Sequence, residues 1–163
     1  MTLLTRRNLI LFAWAFSVLS IAGAWTFQLL GYAPCEMCYW QRYPHYAAIL
    51  IGLVALATRW YWLAWFGALA AAITSGLGAF HTGVERHWWA GPASCTGDDI
   101  SGLSTEDLLD RLTAAPLVRC DEIPWRMSDA IPWELLDITM ANLNALGSFA
   151  IVFVWLAAAR IRG

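Results

Sequence analysis

The sequence predicts an all-α integral membrane protein, a four-transmembrane-helix bundle with a long loop between helices 3 and 4. Three observations predict it. Hydrophobic residues make up 60% of the 163 residues and charged residues only 13%, where an ordinary soluble domain carries roughly 25% charged. Uncharged runs of membrane-spanning length recur along the chain. All 12 acidic residues fall on one side of the alternation those runs impose. A soluble globule of this size could not hide so much apolar surface. The same composition excludes a disordered tail, a collagen-like chain and a polybasic nucleic-acid binder.

A bilayer core of roughly 30 Å needs about 20 apolar residues at about 1.5 Å each. The first run, Asn8 to Leu30, contains no charged side chain. Arg6 and Arg7 precede it, as in a signal peptide. The run is too long for a typical signal core, and no small-residue cleavage site follows before the first cysteines, so it is expected to be retained. The second run, Tyr43 to Thr58, covers only about 24 Å. It is read as a span because its strong neighbours could not otherwise both cross with the loops they have. Trp60 to Thr82 and Met140 to Ala159 supply the third and fourth spans, giving one membrane domain over residues 1–163.

Four spans place both termini and the Arg59 turn on one side. That side holds Arg6, Arg7, Arg59, Arg160 and Arg162 and no acid. The excess of arginine in short loops marks the cytoplasmic face, so both termini are expected to be cytoplasmic. The opposite side then carries a short segment, 31–42, and a long one, 83–139. In the long segment, Ser104-Thr-Glu-Asp107 has the form of a capping box, followed by Leu108, Leu109 and Leu112 at helical spacing until Pro116. Ile131 to Ile138 reads as a short interfacial helix leading into the last span, with Trp125 and Trp133 at headgroup depth.

All four cysteines fall on that outer side. Cys35 and Cys38 form a C-x-x-C, and Cys95 and Cys120 lie in the long segment. An even count in an oxidising compartment points to disulfides, and the three possible pairings stay open, with adjacency favouring Cys35–Cys38 and Cys95–Cys120. A structural staple is a sensible role for Cys95–Cys120, worth about 3.5 kcal/mol in the chain-entropy account. It is a poor one for Cys35–Cys38, which closes too small a loop and fits a reversible redox couple. A four-cysteine zinc site is a competing reading, weakened because only one C-x-x-C knuckle exists. Tyr39 stands where a c-type haem attachment needs His. Arg42 sits one helical turn past Cys38 on the same face, where it can stabilise a thiolate, bind a ligand carbonyl or simply snorkel.

The chain resembles the DsbB family of membrane disulfide-generating proteins over nearly its whole length. The resemblance rests on the four spans, the C-x-x-C at the mouth of the second, and the Arg four positions after its second Cys. It also rests on His81-Thr-Gly-Val-Glu-Arg-His-Trp-Trp-Ala-Gly-Pro-Ala-Ser-Cys95 and on Val118-Arg-Cys-Asp-Glu-Ile-Pro-Trp125 around the other two cysteines. The resemblance implies a bacterial inner-membrane enzyme. It would reoxidise a periplasmic DsbA-like thiol oxidase and pass the electrons to a membrane quinone, ubiquinone or menaquinone. It further implies that Cys95 and Cys120 form the disulfide attacked by the partner, with Cys95 taking the mixed disulfide. Cys120 would then attack Cys35 and release Cys38 beside the quinone. Arg42 maps onto the family's quinone-associated arginine, and His81 lies where the family often carries a histidine near the quinone ring. Gln41 stands where many relatives carry Glu and receives no catalytic role. His45 and His87 are read as interfacial packing. Two other classes compete: a non-catalytic membrane module whose disulfides brace a partner-binding ectodomain, and a metal-handling membrane protein.

Overall fold

The computed structural model describes residues 5–96, 118–129 and 137–161. The capping box at Ser104, the leucine helix that follows it, Trp133 and most of the interfacial helix lie outside the described residues. The described residues include four long helices: α1 (Arg6–Leu29), α2 (Glu36–Thr58), α3 (Ala64–Glu85) and, after a single-turn helix α4 (Ala93–Thr96), α5 (Met140–Arg160). A 3-10 turn, Tyr61–Leu63, joins α2 to α3. Each long helix packs on the next in the chain, and α5 returns to pack against α1, closing a four-helix ring. No strand occurs among the described residues.

Local chemistry sets the helix ends. Thr5 caps α1 by accepting from the Asn8 N–H, and Gly31 ends it at φ 97°. With that left-handed residue in place, Gly31 N–H reaches Gln28 O and Tyr32 N–H reaches Phe27 O. His87 ends α3 the same way at φ 55°, with Trp88 N–H on Gly83 O. Thr139 caps α5, and Asn142 reaches back to the Thr139 N–H to complete a capping box.

Two sequence expectations change. The second helix begins at Glu36, not at Tyr43. Its charge and polarity ended the apolar run, but Gln41, Arg42 and His45 turn inward and are buried in the bundle. Cys35 caps the added turns, and Pro44 merely forfeits one backbone bond within them. The expected helix over 131–138 does not reach α5: Asp137 and Ile138 are non-helical. Met127 N–H donates to Ile138 O, and Arg126 bridges Thr139 in antiparallel fashion. Thr139 must be extended to cap α5, which excludes helix immediately before it.

Three elements, Arg6–Leu29, Tyr61–Glu85 and Met140–Arg160, are long and apolar enough to cross a membrane, and the chain is a membrane protein. Its exposed apolar side chains, including Phe12, Leu50, Leu69 and Phe149, are normal for a lipid-facing surface. The interior is packed instead by small residues that let helices approach closely. At Gly78 the close approach is to backbone: a Cβ there would stand 2.9 Å from Ala145 N and 3.1 Å from Ala141 O of α5. Gly67 likewise leaves room for the fully buried Trp155 indole. At this end Arg6 reaches the Ile161 carbonyl and lies over the Tyr61 ring. The cysteines gather at the other.

Candidate functional site

Helix α2 starts on a cysteine. Cys35 adopts extended backbone as the N-cap, and its sulfur accepts from the Cys38 N–H at 3.3 Å. The two Sγ atoms lie 2.9 Å apart. The Cys35 thiol is pushed well above the ordinary thiol range, first because it shares its proton with Cys38 and then because it is buried. Cys38 stands within the first turn, where the positive end of the helix dipole favours a thiolate.

The second pair arrives from the long segment. Gly91-Pro92 turns the chain into α4, which carries Cys95. Cys120 returns beside it with its N–H on Cys95 O at 2.9 Å. Cys95 and Cys120 form a disulfide with a Cα–Cα distance of 5.3 Å. Both are fully buried, packed with Cys35, Met37, Val84, Trp40 and Val118. The Sγ atoms of Cys35, Cys95 and Cys120 all lie within 4.8 Å of one another. Two cysteine pairs separated by most of α2, α3 and a loop therefore meet at one point. Arg119 clasps Asp121 next to Cys120 at 2.6 and 2.9 Å, holding that carboxyl below the usual carboxylate range.

His81, buried on the last turns of α3, sits at the junction. Its Nε2 is 3.6 Å from Cys35 Sγ, 3.2 Å from the Cys120 carbonyl oxygen and 3.9 Å from Glu85 Oε1. Glu85 in turn accepts from Thr139 Oγ1 at 2.6 Å. Behind His81 a polar string runs into the bundle through Gln41, Asn144 and His45. Cys35, Cys38 and His81 also present three ligand atoms within 4.8 Å. With Cys95 and Cys120 joined to each other, no cysteine among the described residues is left to give that triad the fourth ligand of a closed zinc site.

A cavity of about 510 Å³ opens beside Cys38 between α1, α2, α5 and the 118–125 segment. Its walls are largely apolar, with Phe16, Leu19, Phe27 and Leu143 among them, and its polar lining includes Arg42, His45, His81, Glu85, Arg119 and Glu122. Arg42 is buried, donates to Gln28 Oε1 at 3.1 Å and lies over the rings of Tyr39 and Trp25 at 5.0 and 5.7 Å. Trp125 packs edge-on against Phe27 at the same cavity. These features fit an amphipathic, lipid-soluble ring: apolar walls, the buried Arg42 cation for an oxygen, and a sulfur at the edge.

The structure thus brings Cys35, Cys38, Cys95, Cys120 and His81 together and sets Arg42 on the adjoining cavity. His87 is exposed beyond α3. His45 is buried and donates to Asn144, so interfacial packing does not describe it. Sequence reading gave no role to Gln28, Glu85 or Asn144. The available signal was weak: an acid four positions after His81, and amides inside apolar runs, where polar groups are costly and functional by default.

No curated protein and no solved structure gives a significant match to the chain. The family described as disulfide bond formation protein DsbB matches residues 6–158. With that match reaching into all four long helices and taking in all four cysteines, the chain belongs to the DsbB family, membrane proteins of disulfide bond formation.

Proposed function

We propose that the protein is a thiol:quinone oxidoreductase that reoxidises a periplasmic DsbA-like thiol oxidase. The observation that carries this reading is the meeting of the Cys35, Cys95 and Cys120 sulfurs within 4.8 Å. Structural staples need no such proximity; a relay between two dithiol pairs requires it.

In this reading α2 is the fourth span, with 23 residues covering about 35 Å, and both termini are cytoplasmic. The partner's thiolate attacks Cys95, and Cys120 leaves as a thiolate. Cys120 attacks Cys35, the Cys35–Cys38 bond breaks, and Cys38 receives the electron pair. Cys38 then holds a thiolate at the rim of the apolar cavity, with the Arg42 charge one turn away on the same face. A quinone bound in the cavity supplies the two-electron, two-proton acceptor. Arg42 binds and orients a carbonyl oxygen, and the apolar walls exclude water. A DsbA-type couple lies near about −120 mV, so the first exchange is uphill without that acceptor. Burial of Cys95 and Cys120 adds a condition: the partner reaches Cys95 only when the segment around α4 lifts from Val84.

The test mixes purified protein, a soluble quinone and a reduced DsbA-like protein and follows quinone absorbance. Quinone loss that tracks partner oxidation, and vanishes in Cys38→Ser and Cys95→Ser variants that still fold, is the expected result. No loss with either ubiquinone- or menaquinone-type acceptors sinks the reading.

A further inference from the structure

The amide orientations of Gln41 and Asn144 are fixed by groups that can only accept. Gln41 Nε2 lies 3.3 Å from the Met37 carbonyl oxygen, and Asn144 Nδ2 lies 3.2 Å from the Thr74 carbonyl oxygen. A carbonyl has no proton to give, so each amide presents its NH2 there. Asn144 Nδ2 also donates to Gln41 Oε1 at 2.6 Å, which agrees with both assignments. Gln41 Nε2 therefore donates its second proton to His81 Nδ1 at 2.8 Å. A ring nitrogen that accepts carries no proton, so the His81 proton resides on Nε2. The far end of the string is consistent, since Asn144 Oδ1 accepts from His45 Nε2 at 2.9 Å. His81 Nε2–H then faces Cys35 Sγ, the Cys120 carbonyl and Glu85 Oε1.

We propose that His81 is a fixed-tautomer hydrogen-bond donor to the Cys35 sulfur, and that Gln41 and Asn144 are the positioning residues that keep its proton on Nε2. The functional half rests on the relay reading; the tautomer rests on geometry alone. The step served is the return of Cys120 to Cys95. The partner's second thiolate first attacks its own bridged sulfur, which completes the partner's disulfide and frees Cys95 as a thiolate. That thiolate attacks Cys120 Sγ, the Cys95–Cys120 bond forms, and the Cys35–Cys120 bond breaks. The electron pair leaves on Cys35 Sγ, so one disulfide replaces another with no net oxidation. His81 stabilises the departing sulfur by a hydrogen bond and keeps its own proton, because giving it up would leave an imidazolate. Donation to the Cys120 carbonyl holds the two cysteine pairs in register before the step.

The test uses the full chain in detergent with two readouts. Nitrogen-15 shifts of labelled histidine report the His81 tautomer. Electron transfer between the pairs is timed by adding one equivalent of a small dithiol to oxidised protein and quenching with an alkylating agent. Wild type is expected to show a bare Nδ1 and a protonated Nε2. In Gln41→Glu an ionised carboxylate can only accept, so Nδ1 becomes protonated. Where the shifts show Nε2 bare, transfer slows about tenfold, the loss of one hydrogen bond to a charged sulfur, and where they show both nitrogens protonated, transfer keeps its rate. His81→Gln, whose amide nitrogen reaches the Nε2 position, is expected to recover rate relative to His81→Phe. Three results overturn the proposal: a wild-type proton on Nδ1, a tautomer switch in Gln41→Glu without slowing, or His81→Gln as slow as His81→Phe. No transfer in wild type overturns the relay reading and the role on Cys35 with it, while the shifts still judge the tautomer.

Discussion

Arg42 Nη1 donates to Oε1 of Gln28, 3.1 Å away on the neighbouring helix, so a buried guanidinium is held by a neutral amide. Among the described residues no carboxylate pairs with it. An acid there would neutralise the charge; an amide fixes the geometry and leaves the charge directed at the cavity. Arg42→Lys loses the planar fork and the stacking on Tyr39 and Trp25. We expect it, and Arg42→Met more strongly, to weaken binding of a soluble quinone analogue by about tenfold or more. Calorimetric titration checks this independently of turnover. Unchanged affinity in Arg42→Met would remove Arg42 from the cavity's binding role.

Gly78 and Gly76 make a matched pair. A Cβ at Gly78 meets backbone of α5, which cannot move without separating the helices, whereas nothing lies within 4 Å of a Cβ at Gly76. Gly78→Ala should destabilise by about 1–3 kcal/mol, seen as a lower detergent melting temperature. Gly76→Ala should be neutral or slightly stabilising. Equal melting temperatures would contradict the close α3–α5 approach.

Asn144 serves Gln41, His45, Thr74 and Ser148 at once. Asn144→Leu keeps the volume and orphans those groups. A loss of about 1–3 kcal/mol is expected, since several buried polar groups lose a partner together while helix-to-helix hydrogen bonds in membranes average only about 0.6 kcal/mol each. Thermal unfolding in detergent measures it. A loss below that of a single such bond would show the string to be loosely held.

Alkylation should distinguish the thiols of the fully reduced protein. Cys35 is buried and its thiol is raised above the ordinary range, so it stays protonated at neutral pH. Trapping with iodoacetamide at pH 7 is expected to modify Cys38 well before Cys35, as peptide mass spectrometry would read. Faster modification of Cys35 would invert the order of the pair.

The Arg119–Asp121 clasp predicts a pH effect beside Cys120. The folded Asp121 carboxyl is held below its unfolded range, chiefly by the hydrogen bonds from Arg119. Its contribution is therefore present above about pH 4 and fades as pH falls through the lowered value. Solvent screening limits it to a few tenths of a kcal/mol. Asp121→Asn should raise protease cleavage near Cys120 at pH 7 and make no difference near pH 2. Identical cleavage at pH 7 would show the clasp to be idle.

The sequence by itself determined the membrane character, the all-helical class and the family. These follow from local signals: uncharged runs and motif spacing. The start of α2 was not legible, because Gln41 and Arg42 look like the boundary of an apolar run until neighbouring helices bury them. Only the tertiary structure decided that Cys35 meets Cys95 and Cys120, and that His81 stands at their junction. It alone gave Gln28, Glu85 and Asn144 partners. Those contacts join residues up to 103 positions apart, and no local pattern encodes them. They arise where small residues such as Gly78 let α3 and α5 close up, so that polar side chains stranded in an apolar interior can satisfy only one another.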